Sequence, residues 1–344
     1  MVTLDFDHAR RAVARHGRMT PLLPAPGLTE QLGREVYLKA ECLQNTGSFK
    51  VRGASARLEA LSESERLEGV VACSSGNHGR AVAFVADRMG IPATIFVPEW
   101  VDPVKLAGIQ AAGAEARTIG STFDESESAA VAEAAETGRT YVSAYDDPWV
   151  IAGQGTIAFE VESALGERPS AIIAALSGGG LLAGIAGAFS QERAAVDGHS
   201  KGHSRNEAGR QSPVRTVGCS AAKAAVMLAS VQQGQPVELP EQDTLANALA
   251  GGIGLQNRFS FDLVRDLVDD YPVVDEAAIA DAMRYTVERL HLVVEGGGAV
   301  GLAAVLSGAW LPPRDLGPGP IVIVLSGGNV ATDTLLEILR RGDR

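Results

Sequence analysis

The sequence predicts an α/β protein built on parallel sheets, and three observations carry that prediction. Short apolar runs alternate with helical patterns along nearly the whole chain, which is the grammar of βαβ units. Several of those runs end in a glycine-rich turn just before a helix, at the carboxyl edge where such sheets bind ligands. With 344 residues the chain is long enough for two compact domains, and the alternating pattern starts over at Pro148.

Taken in order, Glu35 to Ala40 reads as a strand and Ser48 to Leu61 as a helix that follows a lysine-bearing loop. Gly69 to Cys73 is a short apolar strand, followed by a polar turn and a helical pattern through Ala81, Phe84, Val85 and Met89. The alternation continues with a strand Ala93 to Val97, a helix Val104 to Ala112, a strand Ala116 to Ile119, a helix Phe123 to Glu136 and a strand Thr140 to Ser143. From Pro148 a long helix to about Leu165 leads to the strand Ala171 to Leu176, a glycine turn, a helix to about Ala195 and the strand Val214 to Cys219. The helix Asp275 to His291, a helix after Gly298, the strand Ile321 to Leu325 and a helix from Thr332 complete the pattern.

Composition narrows the function classes. Thirty Lys and Arg against forty-two Asp and Glu give a net charge of −12, which argues against a nucleic-acid partner. Cys42, Cys73 and Cys219 are far apart, odd in number and outside any C-x-x-C spacing, so they read as free thiols in a reducing, cytoplasmic compartment. Met1 to Thr20 has no apolar core of signal-peptide length. Ala171 to Phe189 is nearly all apolar, but it is centred on Ser177, Gly178, Gly179 and Gly180. Glycine costs a helix interior about 1 kcal/mol relative to alanine, so strand, turn and helix are expected here rather than a membrane span. The polar run 197–213 lacks any apolar period and reads as a flexible surface loop. Within it His199 and His203 would pair as metal ligands on a helix, but Gly198 and Gly202 disfavour that helix, and no metal site is assigned.

Four stretches carry chemistry. Thr46 to Gly53 sets Lys50 among small and apolar neighbours; burial disfavours the ammonium form and makes the amine a nucleophile able to join an aldehyde. The plain alternative is a solvated lysine at a helix start. Ser177, Gly178, Gly179, Gly180 and Leu181, between strand and helix, let backbone amides and a helix N-terminus meet a phosphate. Close helix-to-strand packing would also explain these glycines, and neither the triphosphate loop nor the dinucleotide fingerprint is present. Ser74, Ser75, Gly76 and Asn77 offer hydroxyls, an amide and free N–H groups suited to a carboxylate, with His78 either touching that ligand or packing beside the loop. Ser326, Gly327, Gly328 and Asn329 follow the last apolar strand, where Ser326 either offers a neutral hydroxyl to a ligand or caps the final helix.

Together with Glu295, Gly296, Gly297, Gly298 and Ala299, these stretches resemble, in order and approximate spacing, the fold-type II family of pyridoxal-phosphate enzymes, most closely its serine/threonine dehydratase branch. The resemblance covers nearly the whole chain. It implies a tryptophan synthase β-like fold of two domains, each an open, mainly parallel sheet flanked by helices: residues 1–68 and 148–344 for the cofactor, and 69–147 for the substrate carboxylate. It implies pyridoxal 5'-phosphate as cofactor, held by Lys50, which also moves the substrate's α-proton, with Ser75 relaying a proton on the opposite face. Phe49, Asn77, Ser177, Gly178, Gly179, Gly180, Leu181, Glu295, Ser326 and Gly327 would surround the cofactor, with Asn77 at its ring hydroxyl, residues 177–181 at its phosphate and Ser326 at its pyridine nitrogen. Ser74, Ser75, Gly76, Asn77 and His78 would frame the substrate carboxylate. A neutral hydroxyl does not fix a ring proton as a carboxylate would, which weakens the electron sink and favours loss of a β-hydroxyl over transamination.

The implied activity is dehydration and deamination of a β-hydroxy amino acid such as L-threonine or L-serine to a 2-oxo acid and ammonia, by a homodimer or homotetramer with no nucleic-acid or membrane partner. An amino-acid racemase on the same fold and a non-catalytic binder of a phosphate ligand are the competing readings. The chain also departs from its family. Ser220 to Lys223 offer no acidic metal ligand after their strand, so no magnesium or calcium dependence is expected there. Ala248 puts a methyl group where the family has glycine. Glu295 to Ala299 and Ala250 to Arg258 look more like the hydroxyectoine-utilisation dehydratases, which implies a hydroxylated diaminobutyrate-type substrate. The run of residues after the last expected helix is too short for a C-terminal regulatory domain, so neither that domain nor isoleucine feedback is expected.

Overall fold

The computed structural model describes residues 2–74, 76–99, 101, 103–198 and 213–340, with 103–105, 124 and 192–198 as backbone alone. Its strands are β1 (Leu22–Pro24), β2 (Val36–Lys39), β3 (Val70–Cys73), β4 (Ala93–Val97), β5 (Glu115–Thr118), β6 (Thr140–Tyr141), β7 (Ala171–Ala175), β8 (Arg215–Ala221), β9 (Val273–Val274) and β10 (Ile321–Val324). They form two sheets. The larger runs β1-β2-β10-β7-β8-β9 and is parallel except for β1, which is antiparallel to β2; the smaller runs β5-β4-β3-β6 and is parallel throughout. This is the α/β architecture of parallel-rich sheets flanked by helices.

Both faces of the larger sheet are covered, so its central strands read as unbroken apolar runs. Along β10, Ile321 and Ile323 pack with the helices Glu276–Leu290 and Gly296–Leu306, whereas Val322 and Val324 face the helices Pro148–Leu165 and Gly180–Gly198. In the smaller sheet Val70 and Ala72 pack under the helix Asn77–Met89, and Val71 and Cys73 under Phe123–Thr137.

The long helix Pro148–Leu165 starts where its chemistry says it should. The Asp147 carboxylate accepts from the N–H groups of Trp149 and Val150 at 2.8 and 3.0 Å, and Pro148 occupies the first turn. The helix crosses Gly180–Gly198 with the two backbones in contact: a Cβ on Gly184 would strike the Ile151 carbonyl and lie 2.6 Å from the Gly155 nitrogen.

Five helices have no counterpart in the sequence expectations: Phe6–His16, Pro26–Leu32, Glu63–Glu68, Val226–Gln233 and Ser260–Leu267. The first of these is rich in arginine, yet it buries Phe6, Ala9, Ala12, Val13 and His16 along one face. The helix expected after Gly298 begins at Gly296, because its first turn abuts other backbone. A Cβ at 298 would come within 2.8 Å of the Gly327 nitrogen, so glycine is retained there for space and not to end a helix. The helix expected to stop near Ala195 continues to Gly198; His199, His203 and most of the run 197–213 lie outside the described residues. The apolar run from Ala171 is a strand, a turn and a helix, and no described helix is long and apolar enough to cross a membrane. Cys42, Cys73 and Cys219 are buried free thiols.

A charged cluster lies inside the larger unit. Arg52 and Glu41 have no exposed surface, Lys39 is 1% exposed, and Glu160 closes the group. Arg52 donates to Glu41 through Nε and Nη2 at 2.8 Å each and to Glu160 through Nη1 at 2.6 Å. Lys39 Nζ donates to Glu160 at 2.5 Å and to the Thr20 carbonyl at 2.7 Å. Two cations and two carboxylates make the cluster neutral, which is the condition for burying it.

Two stability outcomes follow from these contacts. Arg52→Ala strands the Glu41 carboxylate in the interior and is expected to cost about 3–5 kcal/mol in urea unfolding. Gly184→Ala forces the two helices apart and is expected to cost about 1–3 kcal/mol in the same measurement.

Candidate active site

The site is a cavity of ≈ 200 Å³ bounded by the carboxyl ends of both sheets. Lys50 opens the helix Lys50–Glu59, two residues before the buried Arg52. Its side chain keeps some surface open to the cavity, but its amine is enclosed by protein atoms. Burial pulls its pKa down to about 8, against the opposing pull of the Glu295 carboxylate. Nζ donates to the Ala144 carbonyl at 2.7 Å and lies 5.2 Å from the centre of the Phe49 ring.

The loop before Lys50 is held in an uncommon conformation. Thr46 has φ +64° although it is β-branched, and the Asn329 side-chain amide donates to its carbonyl at 2.8 Å. Phe49 N–H donates to the Ser326 carbonyl at 3.0 Å, which ties the loop to the turn after β10.

Ser177, Gly178, Gly179, Gly180 and Leu181 all line the cavity, and the helix Gly180–Gly198 starts there with its N-terminal amides. Close packing accounts for two of these glycines. Gly179 has φ +85°, and a Cβ on Gly180 would sit 2.8 Å from the Tyr145 backbone. Ser177 Oγ donates to the Leu249 carbonyl at 3.0 Å.

Ser74, Gly76, Asn77 and His78 line the same cavity at the start of the helix Asn77–Met89, whose first N–H groups have no side-chain cap. Ser74 Oγ accepts from Gly76 N–H at 3.1 Å. Ser75 lies outside the described residues. Within the cavity lining, His78 Nε2 donates to the Val142 carbonyl at 2.9 Å, and burial, with the Lys50 cation second, lowers its pKa to about 3. The ring is therefore neutral.

Asn77 Nδ2 donates to Glu295 Oε1 at 2.5 Å and Asn77 Oδ1 accepts from Asn329 Nδ2 at 2.6 Å, so the orientation of its amide is set from both ends. Glu295 and Ser326 are 7% and 5% exposed and both line the cavity. Ser326 is no helix cap, since the final helix starts at Thr332. Gly327 does not line the cavity; it packs behind Glu295, where a Cβ would overlap the carboxylate.

Several lining residues have no signal in the sequence, among them Ala144, Arg80, Tyr145, Asn247 and Leu249, whereas Ala248 and Ala250 belong to the segments that depart from the family pattern. Ala144 contributes a backbone carbonyl, which any residue type supplies. Tyr145 Oη donates to the Gly252 carbonyl at 3.5 Å, bridging two segments that both line the cavity. At the end of β8, Ser220 Oγ donates to the Leu176 carbonyl and Lys223 Nζ to the Asp243 carbonyl. Among the described residues no three His, Cys, Asp or Glu side chains gather as a metal site requires.

A parallel α/β scaffold that buries a lysine with a depressed pKa beside a glycine turn and a neutral hydroxyl is that of an enzyme with a carbonyl cofactor. Residues 13–327 match the pyridoxal-phosphate dependent enzyme family, and the chain belongs to it, as a member of the fold-type II serine/threonine dehydratases. It is 38% identical over 335 residues to a putative threonine dehydratase of Sinorhizobium fredii, covering 97% of this chain and 94% of that one. It is 35% identical over 343 residues to the L-threonine ammonia-lyase of Thermotoga maritima, covering 99% and 79%. Maize serine racemase superposes with a TM-score of 0.84 at 31% identity, over 99% of this chain and 98% of that one. The cofactor is pyridoxal phosphate, and the donor set fits it: an enclosed amine of lowered pKa, a glycine turn opening a helix and a neutral hydroxyl, all on one cavity.

The lysine pKa sets a pH dependence. Only the neutral amine captures the cofactor, so covalent capture by apoenzyme, trapped with borohydride, should rise about tenfold per pH unit below 8 and level off above it. Glu295→Gln removes the charge that holds the ammonium form, and the midpoint should move to lower pH.

Proposed function

We propose that this enzyme eliminates water from a β-hydroxy amino acid such as L-threonine or L-serine, releasing a 2-oxo acid and ammonia. The observation that carries the reading is the enclosed Lys50 amine in the same cavity as the glycine turn and Ser326.

When bound, pyridoxal phosphate supplies an electron sink conjugated to the substrate's α-carbon. Ser177 to Leu181 would hold its phosphate through backbone amides at a helix start. Ser326 would offer a hydroxyl, with no charge, to its ring nitrogen, and Asn77, oriented by Glu295 and Asn329, would offer an amide to its ring hydroxyl. Lys50 is the base. Burial keeps much of its amine neutral near pH 8, so Nζ accepts the α-proton, and the Ala144 carbonyl 2.7 Å away steers it. His78 is a poor base, because burial lowers its pKa to about 3 and its Nε2 donates to the Val142 carbonyl. The Ser74 to Asn77 turn binds the substrate carboxylate, with Ser75 as the proton relay on the opposite face.

The substrate range is set by the segment that differs from the family. Ala248, Ala250 and Gly252 line the cavity, and with Glu295 to Ala299 they support the hydroxyectoine-utilisation branch and a hydroxylated diaminobutyrate substrate. The racemase reading draws on the match to maize serine racemase. We further place the enzyme in the cytoplasm, as its three free thiols favour. Its assembly as a homodimer or homotetramer, and its division into residues 1–68 with 148–344 and 69–147, rest on the family resemblance.

A panel of L-threonine, L-serine and hydroxylated diaminobutyrates, assayed for 2-oxo acid and ammonia, tests the reading. Wild-type turnover of at least one substrate is expected, with none by Lys50→Ala. Inverted substrate without 2-oxo acid would establish the racemase in its place.

A further inference from the structure

We propose that the guanidinium of Arg80 anchors a substrate carboxylate, supplying the positive charge that the Ser74 to His78 turn lacks. The inference rests on reading the cavity as an amino-acid site.

Arg80 stands one turn into the helix Asn77–Met89, and so shares a face with Gly76 and Asn77. It lines the same cavity as Lys50. Among the described residues its guanidinium pairs with no carboxylate, and its one hydrogen bond runs from Nη1 to Asn329 Oδ1 at 3.3 Å. That is long for a charged donor, which prefers about 2.7–2.9 Å, and a guanidinium has five N–H groups to satisfy.

The side chain is nonetheless positioned. It lies against Gly108 of the helix Pro103–Ala111, where a Cβ would come within 2.8 Å of Nη2 and 3.0 Å of Nε. One flank of the guanidinium therefore abuts this glycine, and only Nη1 is bonded to a described residue.

The charges of the cavity point the same way. Among the described lining residues the ionised groups are Lys50, Arg80, Glu241 and Glu295, while His78 is neutral. Once Lys50 has given up its charge to act as a base, two carboxylates remain in the wall, and a substrate carboxylate would enter a negative cavity. Arg80 is the cation that offsets this. Ser74 and Asn77 contribute dipoles, which orient an anion without neutralising it.

The test is calorimetric titration of the holoenzyme with three amines that have no β-hydroxyl to lose: L-alanine, L-alaninamide and L-aspartate. Arg80→Gln should weaken L-alanine about 10- to 100-fold, the loss of one charge-assisted hydrogen-bonded contact, while L-alaninamide changes by less than about twofold. Arg80→Lys should recover part of the loss. Should L-alanine hold its affinity while L-aspartate loses that factor, the guanidinium still binds a carboxylate, the one on the substrate side chain. Equal affinities in wild type and Arg80→Gln for all three, or equal losses for L-alanine and L-alaninamide, would overturn the proposal. None of these titrations needs turnover, so β-elimination stands or falls separately in the 2-oxo acid assay.

Discussion

Arg52 has no exposed surface, and its guanidinium lies between the carboxylates of Glu41 and Glu160. Burial disfavours its charge, but those partners more than compensate, and its pKa is raised. Glu160 is likewise held below the usual carboxylate range by Arg52 and Lys39, against its own desolvation, whereas desolvation lowers Lys39 despite both carboxylates. The cluster joins β2, the turn after it, the helix Lys50–Glu59 and the helix Pro148–Leu165. Such a group tolerates little displacement, because moving one member leaves another buried and unpaired. The first turn of the Lys50 helix is thereby pinned, and the reactive amine with it.

From that anchor the site extends through one short segment, residues 143–147. The Ala144 carbonyl accepts from the Lys50 amine, and Tyr145 packs on the glycine turn. The Asp146 carboxylate accepts from the N–H groups of Arg258, Phe259 and Ser260 at 2.7, 2.8 and 2.9 Å, holding the start of the helix Ser260–Leu267. Asp147 caps Pro148–Leu165 and pairs with Arg57 on the Lys50 helix at 3.1 Å. Five consecutive residues thus connect the amine, the glycine turn and the segment 252–260.

The parts of the site that were legible in the sequence are those made by local backbone chemistry. A glycine turn between strand and helix, or a serine-rich turn at a helix start, puts N–H groups in one place whatever surrounds it, and the residues of both turns within the described set line the cavity. Gly327 is the exception. It belongs to such a turn by sequence, yet it packs behind Glu295, since turn chemistry does not say which side of the turn faces a ligand. His78 shows the same limit: the residue type does not say where its ring bonds, and the tertiary structure pairs its Nε2 with the Val142 carbonyl, 64 residues away.

The amino-acid order by itself determined the alternation of strands and helices, the parallel sheets it requires and the stretches that meet at their carboxyl ends, because each follows from apolar period and turn chemistry over a few residues. Only the tertiary structure decided which charges matter. Arg52 and Arg80 look like ordinary helix arginines in the sequence. One is fully buried against Glu160, 108 positions away, and the other lies against Gly108 in the cavity wall with a neutral partner 249 positions away. The physical reason is that a charge is defined by its dielectric surroundings and its partners, and both are assembled from distant parts of the chain.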